Sequence, residues 1–185
     1  GVVENLTLFT EVPYLSVEPE ADIQDSADGL GDVKIGMDLL AYEDIFEYPY
    51  CIPHWDVALE TGDADEGLGA GETIWTFGVS VGTVVYEVLH YVGDISFSLN
   101  GGTETPNREN VLIASGSIIW DVSKRFSVLV ESKVLDENSA NDRPYLFQGG
   151  MAYKATENLQ ISWYGGGWSQ SDEDVIATLK LGYTF

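Results

Sequence analysis

Along ten segments of this chain, apolar side chains recur at every second position, and one parity carries no charge. An extended strand turns successive side chains to opposite faces, so this alternation favours strands over helices. The segments fall near 4–16, 31–42, 53–61, 73–86, 90–100, 109–122, 125–135, 144–155, 158–169 and 174–185. They are rich in Tyr, Trp, Phe, Val, Ile and Thr, as strands prefer. Each is about as long as the ~9–11 residues that cross a bilayer on a tilt. Regular spacing without helical interruption predicts one all-β domain over 1–185, an up-and-down antiparallel meander of about ten strands.

The uncharged face includes Leu8, Trp75, Phe77, Ile95, Trp120, Trp163 and Leu181. The opposite face carries Glu11, Lys34, Asp38, Asp56, Glu60, Asp94, Glu131, Lys133, Lys154 and Lys180 among many Gly, Ser and Thr residues. Two closed structures satisfy this pattern. A soluble barrel or sandwich would turn the apolar face inward, and a membrane barrel would turn it toward lipid. Closure suits lipid because it leaves no edge strand with unsatisfied backbone groups.

The connections favour the membrane. Short turns near 86–91, 123–126 and 155–158 alternate with long acidic connections at 17–32, 61–73, 100–110, 135–143 and 169–174. In a meander these two kinds lie at opposite ends, and short turns facing long loops are the habit of outer-membrane barrels. The expected location is therefore the bacterial outer membrane, with lipid and lipopolysaccharide around the barrel and the acidic loops outside. The aromatic connection at 43–52, "EDIFEYPYCI", breaks the alternation by being long where a short turn is due.

The long connections hold 18 of the 31 acids, against only 8 Lys and Arg in the chain. A net charge of −23 excludes nucleic acid as a partner, since little could neutralise phosphates. It also disfavours docking on anionic lipid heads, and points instead to cations or basic surfaces. The single cysteine, Cys51, permits no internal disulfide, and no apolar run is long enough for a transmembrane helix. The opening "GVVENLTLF" reads as the middle of a strand pattern, so further N-terminal sequence, and with it twelve strands, is an expectation left open.

The stretches "ENLTLFTEVPY" (4–14), "GLGDVKIGMDLL" (29–40), "TGDADEGLGAG" (61–71) and "LKLGYTF" (179–185) resemble the outer-membrane transporters grouped as the MetA-pathway phenol-degradation family. The resemblance implies a porin-like transporter barrel for small, hydrophobic or aromatic molecules. Its motifs are glycines and aspartates that shape loops, with no catalytic group among them. The closing aromatics Tyr183 and Phe185 resemble the C-terminal signal read by the barrel-insertion machinery. That likeness places the C-terminus at the periplasmic rim.

Little else in the sequence carries chemistry. His54 and His90 are expected at the short-turn end, away from the acidic loops, and no catalytic residue is assigned. "CIPH" (51–54) offers two metal ligands but no second pair to complete a site. Asp63, Asp65 and Glu66 in "GDADEG" are the candidates for a weak Ca²⁺ site, without the distal Glu of an EF-hand; no other cofactor is expected. The charged face would line a lumen. In a narrow barrel its acids and lysines pair and plug the interior; in a wider one they leave a water path with a slight cation bias. The sequence thus supports either a small channel or a closed structural barrel whose acidic loops coat the surface and which assembles into homo-oligomeric arrays.

Overall fold

The computed structural model describes residues 5–17, 27–43, 49–100, 110–136, 144–169 and 175–185. These residues form β1 (Leu6–Val17), β2 (Ala27–Leu30), β3 (Lys34–Leu39), β4 (Tyr42–Glu43), β5 (Tyr50–Ala58) and β6 (Ile74–Val85). They continue through β7 (Leu89–Leu99), β8 (Val111–Ser123), β9 (Phe126–Asp136), β10 (Tyr145–Lys154), β11 (Leu159–Ser169) and β12 (Val175–Thr184). Each of β5 to β12 pairs antiparallel with its sequence neighbour, and β12 returns to pair with β1. β2 and β3 both pair with β1, and β4 runs on along β5, so these three pieces form a single broken stave. The result is a closed barrel of ten staves.

Closure is made over ten residue pairs, from Thr7↔Thr184 to Ser16↔Val175. The hydroxyls of Thr7 and Thr184 share a 2.7 Å hydrogen bond at the turn end of this seam. The short turns are built locally. Tyr86 and Glu87 join β6 to β7 with φ of 56° and 59°, the two positive values a type I′ hairpin turn requires. The Ser123 hydroxyl accepts from the Phe126 amide at 3.1 Å, and the Thr156 hydroxyl accepts from the Leu159 amide at 3.0 Å. Such side-chain caps fix turns without needing glycine.

Exposure decides which face is outside. Leu8, Trp75, Phe77, Ile95, Trp120, Phe147, Trp163 and Leu181 are all exposed large hydrophobics, and Ile95 is 64% accessible. A water-facing sheet would not display so continuous an apolar belt, so the belt is suited to lipid. No helix among the described residues is long and apolar enough to cross a membrane. Outward aromatics stand at both ends: Trp55 stacks on Trp75 at 5.6 Å in the loop half, and Tyr183 meets Phe185 edge-on at 5.1 Å at the turn end.

Two sequence expectations change. The aromatic stretch 43–52 is strand at both its ends, where Tyr42 and Glu43 pair with Cys51 and Tyr50; residues 44–48 lie outside the described residues. The expected loop over 17–32 is shortened by β2, whose backbone pairs with Tyr14–Val17.

Candidate functional site

The inward face has two layers. At mid-height lies a charged belt. Glu11 on β1 stands opposite Lys180 on β12 and opposite Lys34 on β3. The Lys180 ammonium reaches the Glu11 carboxylate at 3.2 Å and lies 3.6 Å from the centre of the Phe9 ring. Opposite charges directly across strands attract, and the aromatic face adds a cation–π contact. Asp38 stands opposite His54. The His54 imidazole meets Asp94 at 2.6 Å, and Asp94 also accepts from Ser80 at 2.8 Å and Ser96 at 3.1 Å. On β9 the Glu131 carboxylate accepts from the Gln148 amide. Asp56 and Lys133 share the inward parity of their strands, on β5 and β9.

The second layer is apolar and lies at the loop end. Leu15 and Val17 at the end of β1 form a buried cluster with Leu68, and Ala27 and Ile176 pack against it. Leu68 belongs to the 59–73 connection. To meet Leu15 and Val17 this connection folds inward over the loop end of the neighbouring β2–β3 stave, where Leu68 lies beside Gly29 and Gly31. Val111, Leu135 and Leu146 line the same end from β8, β9 and β10, and Val111 is fully buried.

The fold of the 59–73 connection explains the two loop motifs. Asp32 of "GLGD" accepts from the Thr61 and Gly62 amides through Oδ1, at 3.0 and 2.9 Å, and from the Ala70 amide through Oδ2 at 2.6 Å. The Thr61 hydroxyl in turn accepts from the Val33 amide at 2.8 Å. Carboxylate bonds to backbone amides are charge-assisted and strong. Gly29 leaves room for Leu68, since a Cβ there would come within 2.6 Å of its Cδ1. Gly67 turns the chain into Leu68 with a φ of 76°. The motifs are thus two halves of one clasp.

Several residues fall elsewhere than the sequence suggests. Glu60 lies beyond the end of β5, exposed, with its carboxylate accepting from the Thr73 hydroxyl at 3.2 Å, so it leaves the inward set. Lys154 ends β10 on the turn-end rim, exposed, beside a cavity of about 430 Å³ that Asp121, Lys124 and Ser127 also line. β5 begins at Tyr50, so His54 is a mid-strand member of the belt and not a turn residue. His90 does stay near the turn end, 3.2 Å from Asp121. Cys51 and His54 fall on opposite faces of β5 because their separation is odd, so "CIPH" cannot chelate a metal. Asp63, Asp65 and Glu66 do not converge: Asp63 accepts from the Asp65 and Glu66 amides, closing a turn, and the described residues contain no group of three His, Cys, Asp or Glu that could hold a metal. Ser80 and Ser96 donate to Asp94 and not to His54, so this cluster offers no hydroxyl activated by an imidazole.

A protein family matches the chain over residues 2–185, described by the MetA-pathway of phenol degradation. The chain belongs to this phenol-degradation family. Solved barrels share its fold. An outer-membrane channel from Pseudomonas putida F1 is 10% identical, with a TM-score of 0.61 over 99% of this chain and 96% of that one. The NanC porin is 9% identical, with a TM-score of 0.58 over 97% of this chain and 98% of that one. The KdgM porin is 9% identical, with a TM-score of 0.57 over 97% and 99%. No curated protein matches significantly. At such identities the likeness concerns the fold: this phenol-degradation family member has the closed antiparallel β-barrel fold of those channels and porins.

Proposed function

We propose that this protein is a narrow bacterial outer-membrane channel for small solutes, apolar or aromatic ones among them, with acidic loops outside and short turns in the periplasm. The observation that carries the reading is the charged belt inside an apolar exterior. Glu11, Lys34, Asp38, Asp56, Asp94, Glu131, Lys133 and Lys180 all lie on inward strand positions. Ionised groups enclosed without water are costly even when paired, and a hydrophobic filling of equal volume would serve a solid barrel better. Retaining them suits a solvated path. Five acids against three lysines would favour cations slightly. The family assignment and the channel and porins of like fold support this class of function. Uptake of phenol and of small sugars into vesicles carrying the purified protein tests it. Faster entry than into empty vesicles is expected, and identical rates for both solutes with and without protein would reject it.

The second reading is a closed barrel with a structural or assembly role. The packing of Leu68 on Leu15 and Val17 in the loop-end mouth favours it. A change of oligomer size in detergent on adding Ca²⁺ or Mg²⁺ would support assembly through the acidic loops.

A further inference from the structure

The geometry points to Leu68 as the apolar gate of the loop-end mouth, with Asp32 as the residue that positions it. The inference rests on the channel reading and specifies where and how the path narrows.

Leu68 is 4% exposed, while the residues around it in the connection, Asp63 to Gly67, are all exposed. An exposed acidic loop has no local reason to carry one buried leucine. Its burial comes from reaching the inner wall, where it meets Leu15 and Val17, with Ala27 and Ile176 packed around them. These five side chains belong to the connection itself and to three adjacent staves, β2, β1 and β12, so Leu68 narrows the mouth from one side of its wall. A narrow apolar ring in a water path hinders ions because water withdraws from it. A small apolar molecule loses less on entering such a ring than a hydrated ion does. Leu68 would therefore set both the width and the polarity of the entrance.

Asp32 holds the gate without lining it. Its two oxygens take three amides from the two ends of the connection, Thr61 and Gly62 before Leu68 and Ala70 after it. The leucine backbone is tied as well, its amide donating to the Asp63 carbonyl at 2.8 Å. The connection is thus pinned at its base, with its acidic crest, Asp63 to Gly67, exposed.

Single-channel conductance in planar bilayers tests this with four proteins: wild type, Leu68→Ala, Leu68→Met and Asp32→Asn. Heat-modifiable gel mobility confirms that each barrel is folded. A severalfold rise in conductance is expected for Leu68→Ala and Asp32→Asn, with Leu68→Met close to wild type. The double variant Leu68→Ala/Asp32→Asn should conduct no more than Leu68→Ala, because Asp32 acts through the leucine. A silent wild type that conducts once Leu68 is truncated also supports the gate. Equal conductance in wild type and Leu68→Ala overturns the gate and leaves the channel standing. Additive effects in the double variant overturn the positioning role of Asp32. Folded proteins that are all silent overturn the gate together with the channel.

Discussion

Glu11 stands between two lysines, and that arrangement fixes what its removal should do. Lys180 lies 3.2 Å from it on one side, and Lys34 pairs with it on the other. Lys180→Met removes a charge-assisted bond and the cation above Phe9, and should lower stability by about 2 kcal/mol in urea titrations followed by tryptophan fluorescence. The double variant Glu11→Gln/Lys180→Met should lose less than the sum of its parts, since each partner strands the other. The hairpin turn gives a prediction of opposite sign. Glu87 is held at a φ of 59°, and Glu87→Gly should raise the same stability by about 1 kcal/mol by relieving a left-handed backbone. At this scale the sequence was only partly legible. Alternation places Glu11, Lys34 and Lys180 on one face, but His54 and Glu60 are misplaced by the three-residue offset at each end of β5. The role of Asp32 is tertiary: its three amide partners lie about 30 to 40 residues away, and no local pattern announces them.

The strands behave as two-faced elements, and substitutions should sort by face. Val79 is an exposed residue in the middle of β6, between the inward Gly78 and Ser80. Val79→Arg should cost about 2–4 kcal/mol in folding into lipid vesicles, the cost of a cation on the lipid side at mid-depth. Thr178→Asn, an inward change on β12, should be tolerated well within that range in the same assay, because the inner face already accepts polar groups. If both variants cost the same, the apolar belt is not a lipid face. Strand existence and facing follow from the two-residue period, and eight of the staves, β5 to β12, are single strands near the positions the period indicates. The stave made of β2, β3 and β4 resists sequence reading. Its chain breaks where Gly31 and Asp32 leave strand geometry to hold the 59–73 connection, so a distant contact overrides the local pattern.

Across the whole molecule, ten staves enclose a belt of charge beneath an apolar mouth. Ten is a narrow count: about eight strands leave room only for side chains or one small ligand, whereas porins of about sixteen to eighteen strands leave an aqueous channel. Loop asymmetry and parity make the barrel legible from sequence, yet they cannot say whether its centre is water or side chains. Parity reports direction and not distance across the bore, and the folding of Leu68 into the mouth depends on contacts between remote segments. The proposed channel requires the charged belt to border a water-filled path. The most direct test is the reversal potential of the wild-type protein in a planar bilayer across a tenfold salt gradient. Discrete channel currents with a modest cation preference, diminished in Asp38→Asn/Asp56→Asn, are expected. A folded, membrane-inserted barrel that carries no current even as Leu68→Ala, or one whose selectivity ignores those two carboxylates, would contradict the water-filled path.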